Sequence, residues 1–130
     1  MINFIRKFWK SLSLLLILLY LSFAPPSNFK EVPPIKIEFF DKFVHVVLYA
    51  VFTVILIVDF RKFLDVKTYK SVFFICCFIF PVLLGGFIEI AQETWFSPRT
   101  AELIDWFADI LGIGIGFWIA TFIKEKNVVV

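Results

Sequence analysis

Four polar residues interrupt an otherwise apolar stretch of the sequence, the segment DKFVHVVLY from Asp41 to Tyr49. On a helix that advances about 100° per residue, Asp41, His45 and Tyr49 fall within an arc of roughly 80°, with Lys42 beside it. An imidazole beside a carboxylate can transfer protons, and an ammonium group can hold an anion. The spacing therefore predicts a polar site on one helix face at a membrane boundary.

Further polar residues lie at the ends of two later apolar runs. Glu89 and Gln92 close the third run on one helix face, and Asp105 and Asp109 open the fourth run one turn apart. Arg99 lies in the short loop between these runs. If these ends meet, the candidate catalytic residues are His45, Glu89 and Asp105, and the candidate binding residues are Asp41, Lys42, Tyr49, Gln92, Arg99 and Asp109.

The composition indicates that these residues belong to a membrane protein. Of 130 residues, 61% are hydrophobic and 19 are phenylalanine, which does not fit a solvated surface. Four apolar runs, roughly 8 to 24, 43 to 60, 71 to 92 and 104 to 123, are each about long enough to cross a hydrocarbon core of around 20 helical residues. We expect one all-α domain over the whole chain, a polytopic four-transmembrane-helix bundle.

The basic residues predict the orientation of this bundle. The amino terminus, the loop from 61 to 70 and the carboxyl tail hold nine of the 13 lysines and arginines, as is typical of cytoplasmic segments. Both termini are therefore expected in the cytoplasm, in a multi-pass protein of the cell (inner) membrane with its polar site outside. The first apolar run also resembles a secretory signal peptide, but prolines follow the possible cleavage site, which favours a retained helix.

A stripe of small residues runs along the fourth apolar run. Ala108, Gly112, Gly116 and Ala120 are spaced by four and contain the GxxxG pattern of closely packed membrane helices. The two aspartates lie in the same arc as the stripe, so they should point into the bundle. Gly112 and Gly116 are the predicted helix-packing residues.

Three interpretations of the polar cluster stay open. In the first, Arg99 and Lys42 only neutralise Glu89 and Asp105 and fix the helix register. In the second, the cluster forms a cleft that binds an anionic group and transfers protons. In the third it holds a divalent metal, but a single histidine in the chain makes zinc less favoured, so neither metal nor cofactor is expected. The net charge of +2 is too small to indicate a nucleic-acid partner.

The order of these motifs over residues 41 to 120 resembles the VanZ-like family of bacterial membrane proteins. The resemblance rests on the DK pair with His45 and Tyr49, on GGFIEIAQ, on Arg99, and on D-x-x-x-D-x-x-G-x-x-x-G from Asp105 to Gly116. It implies that the signature positions are Asp41, His45, Glu89, Gln92, Arg99, Asp105, Gly112 and Gly116. Asp109 departs from the pattern, which usually has asparagine there, so the charge of the site need not match that of the family.

The resemblance implies a link to teicoplanin, a lipidated glycopeptide that targets cell-wall precursors, but it supplies no reaction, and whether the protein is an enzyme stays open. We expect a binding or modifying protein for an anionic, lipid-linked head group of the cell envelope. The alternatives are a small proton- or ion-coupled transporter and a structural or assembly protein of the membrane.

Overall fold

The computed structural model describes residues 1–24, 40–95 and 102–123, and within these ranges the chain is helical with no strand. It forms four helices: α1 (Ile2–Phe23), α2 (Phe40–Phe63), α3 (Lys70–Trp95) and α4 (Leu103–Phe122). The all-α prediction is therefore confirmed. The proline-rich connector after α1 and the loop that contains Arg99 lie outside the described residues.

Three of these helices, α2, α3 and α4, are long and apolar enough to cross a membrane, which indicates a membrane protein. α1 is not among them, although it has 22 residues. It begins at Ile2, ahead of the predicted run, and Arg6, Lys7 and Lys10 lie in its amino-terminal half. Charged residues within a span are costly in hydrocarbon, so these three basic residues keep α1 from qualifying, and the predicted bundle of four spans is not confirmed.

The largest helix interface is that of α2 with α4; α1 packs mainly on α2, whereas the second half of α3 packs mainly on α4. α2 and α4 run parallel, because His45 meets Asp109 near their starts, whereas Arg61 donates to the carbonyl of Ala120 near their ends. Gly112 allows this approach. An ideal Cβ built on it would lie 3.0 Å from the Cα of Val46, closer than side chains pack.

α3 leaves the regular α-helix for one turn. Residues Ile75–Ile79 are π-helical, and Pro81 follows almost at once. Proline has no N–H to donate and its ring crowds the carbonyl four residues earlier, so a wider turn here relieves the clash. The irregular turn lies in the first half of α3, away from the polar end that carries Glu89.

α1 runs antiparallel to α2 and is joined to it by a buried polar contact. The backbone N–H and the hydroxyl of Ser11 both donate to Oδ2 of Asp59, at 3.2 and 2.7 Å. The ring of Phe8 packs edge-on against the rings of Phe60 and Phe63. These contacts fix the amino-terminal part of α1 to the end of α2 that is remote from His45.

The connection between α2 and α3 is a short turn built on Asp65. Its carboxylate accepts hydrogen bonds from the hydroxyl of Thr68 at 2.7 Å and from the backbone N–H of Lys67 at 3.1 Å. The Thr68 hydroxyl bond is the main reason that the pKa of the exposed Asp65 carboxyl is lowered. The turn brings α3 back antiparallel to α2, so the end of α3 returns to the polar end of the bundle.

Apolar side chains point both into the helix bundle and away from it. Ile57 and Ile113 are fully buried between the helices, whereas Leu83, Ile90 and Trp118 are each more than 60% exposed. A surface of this kind suits hydrocarbon and does not suit water. Asp59, Asp109 and Glu89 are instead buried on the inward faces.

Candidate functional site

Lys42, in the first turn of α2, is surrounded by three carboxylates. Its Nζ lies 2.7 Å from Oδ2 of Asp41, 2.5 Å from Oε2 of Glu102 and 2.9 Å from Oδ1 of Asp105. Asp41 and Glu102 are exposed, so solvent screens their ion pairs with Lys42, whereas the Asp105 side chain is only 13% exposed and its pair with Lys42 is screened less. An anion that bound Lys42 would have to compete with all three carboxylates.

His45 lies one turn further along α2, between two aspartates of α4. Its Nδ1 is 2.7 Å from Oδ1 of Asp109, and its Nε2 is 3.9 Å from Oδ2 of Asp105. The Asp109 side chain is 1% exposed and that of His45 is 23% exposed, so the pair is buried on the aspartate side and partly open on the histidine side. Asp105 faces Lys42 with one oxygen and His45 with the other, and it thereby joins the two basic groups. An imidazole held in this way can accept or deliver a proton at the mouth of the bundle.

Glu89 brings α3 to the same place. The residue is 5% exposed, and its Oε2 accepts a hydrogen bond from the backbone N–H of Glu102 at 3.1 Å. None of the described residues donates to its other oxygen, Oε1, which is also buried. One ligand atom each from His45, Glu89 and Asp109 lies within 4.8 Å of the others. The three central helices therefore each contribute one polar side chain to a common point.

Gly85 on α3 makes room for the carboxylate of Asp109. An ideal Cβ on Gly85 would lie 2.8 Å from Oδ2 of Asp109, a distance that real Cβ atoms do not adopt. Nearby, the indole N–H of Trp106 donates to the carbonyl of Val82 at 2.9 Å and ties α4 to α3. The residues around Asp109 thus hold its carboxylate in a narrow space.

The other predicted site residues have different surroundings. Tyr49 is buried and packs at Gly112 of α4, beneath the His45 pair. Gln92 faces α1, because its amide donates to the carbonyl of Ser22 at 2.7 Å. Gly116 lies against Ala50 and Thr53 of α2, so the small-residue stripe forms the α2 to α4 contact. Arg99 lies outside the described residues, and its role stays a prediction.

Three residues that shape the site were not assigned to it from the sequence. Glu102 binds Lys42 and also donates its backbone N–H to Glu89. Gly85 and Trp106 lie within the third and fourth apolar runs, and nothing in the sequence alone marks them as part of the site. Glu102 had a detectable signal, since it stands three residues before Asp105 and thus one turn ahead of it on the same helix end. The contacts of Gly85 and Trp106 depend on how α3 packs on α4.

Negative charge exceeds positive charge among the described residues of this end. The carboxylates are those of Asp41, Glu89, Glu102, Asp105 and Asp109, and the basic groups are those of Lys42 and His45. Such an excess at a membrane boundary is unfavourable without further cations. Protonation of a carboxylate or a further positively charged group would offset this excess.

No family model matches this chain, and comparisons with curated proteins and with solved structures found no match. The resemblance to the VanZ-like family accordingly stays a prediction that rests on the residues named above.

Proposed function

We propose that the chain is a multi-pass protein of the cell membrane whose polar end binds or modifies the anionic head group of a lipid-linked, cell-envelope precursor. In this proposal α1 is a fourth span, both termini are cytoplasmic and the His45 end of the bundle faces outward. The charge distribution supports the orientation, because basic residues gather at the opposite end, where Arg6, Lys7, Lys10 and Lys62 lie around a common pocket.

The observation that carries the proposal is the position of His45 between Asp109 and Asp105. A histidine fixed by one carboxylate and faced by another is arranged for proton transfer, since one ring nitrogen is oriented while the other can meet a reacting group. A pair that only joined helices would not need the second carboxylate. This arrangement also lies where α2, α3 and α4 converge, at the depth of lipid head groups.

Recognition of an anion at this end depends on cations that are shared with carboxylates. Lys42 is already held by Asp105 and its neighbours, so it serves the site mainly by limiting the negative charge there. Arg99, which lies between α3 and α4 in the sequence, is the remaining basic residue of the proposed site, and its guanidinium suits phosphate or carboxylate oxygens. The resemblance to the VanZ-like family implies a phenotype, tolerance to a lipidated glycopeptide such as teicoplanin.

A proton- or ion-coupled transporter fits the structure less well. Transport across the bilayer would require polar groups along the length of the bundle. Beyond Thr53, the buried positions of α2 are Leu56 and Ile57 until Asp59 is reached, and Asp59 is bound to Ser11. The polar residues therefore form two separate groups, one at each end.

The proposal is tested by separating function from folding. His45→Gln and Arg99→Gln should each insert at normal abundance, keep the thermal stability of the purified protein and abolish glycopeptide tolerance in a host that depends on the intact protein. Lys67→Gln, an exposed substitution in the turn at the opposite end, is the control and should retain tolerance. Full tolerance from properly inserted His45→Gln and Arg99→Gln proteins would refute the proposal.

A further inference from the structure

We infer that His45, Glu89 and Asp109 form a binding site for one divalent transition-metal ion, with Asp105 supporting the histidine from behind. The site would take Mn²⁺, Zn²⁺ or Fe²⁺, ions that combine imidazole nitrogen with carboxylate oxygen. The sequence disfavoured a metal because it contains a single histidine. The fold supplies the missing ligands from two other helices, so the count of histidines is no longer decisive.

The ligand atoms already have the spacing that such an ion needs. One atom from each of the three residues lies within 4.8 Å of the other two. Metal to ligand bonds of roughly 2.0–2.2 Å place neighbouring ligand atoms about 3 to 4 Å apart. The 2.7 Å separation of His45 Nδ1 and Asp109 Oδ1 would open slightly to admit the ion. These three side chains leave coordination positions for water or for a substrate oxygen.

Glu89 gives an independent indication of a ligand. Only 5% of the residue is exposed, and no described residue donates a hydrogen bond to its Oε1 atom. The backbone N–H of Glu102 holds the other oxygen, Oε2, and thereby fixes the carboxylate. A buried carboxylate oxygen without a donor is unfavourable, and a metal ion would satisfy it.

Asp105 is placed as a supporting residue for a metal-bound histidine. Ligation through Nδ1 requires His45 to be neutral, with its proton on Nε2, and Nε2 faces Oδ2 of Asp105 at 3.9 Å. Histidines that bind metals usually donate their second ring N–H to a carboxylate, which fixes the ring and the tautomer. At 3.9 Å the distance from Nε2 to Oδ2 is longer than a hydrogen bond, so ligation would have to bring the two atoms about 1 Å closer. Lys42 in turn holds the other oxygen of Asp105.

The charges of the site also match a divalent ion. A neutral His45 with the carboxylates of Glu89 and Asp109 carries two negative charges, which one divalent ion neutralises. In the proposed function, an ion with open positions could contact a phosphate oxygen and so bring an anion to an acidic site. Only this last step rests on the proposed function, since the ion is bound by residues of the chain alone.

Metal binding is measured directly on the full-length protein, purified in detergent and stripped with a chelator. Titration with Mn²⁺, followed by loss of the free Mn²⁺ signal in electron paramagnetic resonance, should give about one bound ion per chain. Glu89→Gln and Asp109→Asn should each weaken Mn²⁺ binding at least tenfold, and Asp105→Asn about 10- to 100-fold. Asp59→Asn, a buried acid at the other end of α2, is the matched control and should bind Mn²⁺ normally.

Thermal unfolding separates a lost ligand from a lost fold. Mn²⁺ should raise the melting temperature of the wild type and of Asp59→Asn, because an ion that binds only the folded state stabilises it. It should leave the melting temperature of Glu89→Gln unchanged. A glutamine retains the size of Glu89 and removes only its charge, so a folded Glu89→Gln protein that binds Mn²⁺ as tightly as the wild type would overturn the inference.

Two further outcomes also count against the metal site. A wild-type protein that binds no Mn²⁺ refutes the site. The site is also refuted if Asp41→Asn abolishes Mn²⁺ binding and Glu89→Gln leaves it intact, because the ion would then lie on the exposed carboxylates. These failures are distinct from failure of the proposed function. If His45→Gln loses glycopeptide tolerance but the wild type binds no Mn²⁺, the metal site alone is refuted. If the wild type binds Mn²⁺ but His45→Gln keeps full tolerance, the head-group function alone is refuted.

Discussion

Gly112 lies at the tightest point of the α2 to α4 interface, and its replacement by alanine should destabilise the protein. The added Cβ would meet the backbone of Val46, with its Cα at 3.0 Å, and the Cβ of Tyr49 at 3.1 Å. Backbone atoms cannot rotate away as a long side chain can. The helices would have to separate, and the contacts along their whole interface would loosen.

The magnitude follows from comparing two glycines of the same helix. Gly114 is exposed and an ideal Cβ on it meets no atom within 4 Å, so Gly114→Ala gains the better helix propensity of alanine without a clash. Gly112→Ala has the same gain in propensity and adds overpacking, which costs about 1–3 kcal/mol. The difference between the variants is therefore about 1–3 kcal/mol, roughly 5- to 150-fold in the unfolding equilibrium constant.

The assay is reversible unfolding of each variant in mixed micelles. The mole fraction of a denaturing detergent is raised stepwise, and the loss of helix is followed by circular dichroism. Gly114→Ala should unfold at or above the midpoint of the wild type, and Gly112→Ala well below it. Equal midpoints for Gly112→Ala and Gly114→Ala would refute the packing of α4 on α2 at this position, because helix propensity alone treats the two glycines alike.

Two further predictions concern the opposite end and the orientation. Ser11→Ala removes a hydroxyl that donates to the buried Asp59 and should lower the free energy of unfolding by about 1–3 kcal/mol. Ser13→Ala is the control: the hydroxyl of Ser13 donates within α1 to the carbonyl of Trp9 at an exposed position, so its loss should have little effect in the same assay. In a variant without Cys76 and Cys77, an impermeant thiol reagent added to intact cells should label Glu93→Cys and spare Tyr69→Cys; the inverse labelling would show that the proposed orientation is wrong.

The sequence predicted α2, α3 and α4 well because each of their apolar runs has the length and hydropathy of a span. The predicted runs from 43 to 60, from 71 to 92 and from 104 to 123 each lie almost wholly within one helix. The helices are a little longer where charged residues such as Lys62 and Glu93 continue them past the apolar run. Hydropathy marks where a helix contacts hydrocarbon, and hydrogen bonding, which continues into the interface, decides where the helix ends.

Pair contacts within the site could not be predicted from the sequence. Periodicity placed His45 and Asp109 on inward faces, but the choice of Asp109 as the nearer partner, with Asp105 further away, depends on the register of α2 against α4. Gly112 sets that register by its contact with Val46, and no pattern in a single sequence encodes it. The same limit applies to Ser11 and Asp59, which are in contact although they lie 48 residues apart in the chain.

Close helix packing and the polar site are parts of one arrangement. Gly112 lies three residues after Asp109 on α4, and Val46, which it touches, follows His45 on α2. The approach that only a glycine allows therefore sets the distance between the imidazole and the carboxylate. Gly85 likewise allows α3 to approach Asp109, because any side chain there would displace Oδ2 of Asp109. The glycines thus determine how closely three helices bring their polar groups together, and the chemistry of the site depends on that spacing.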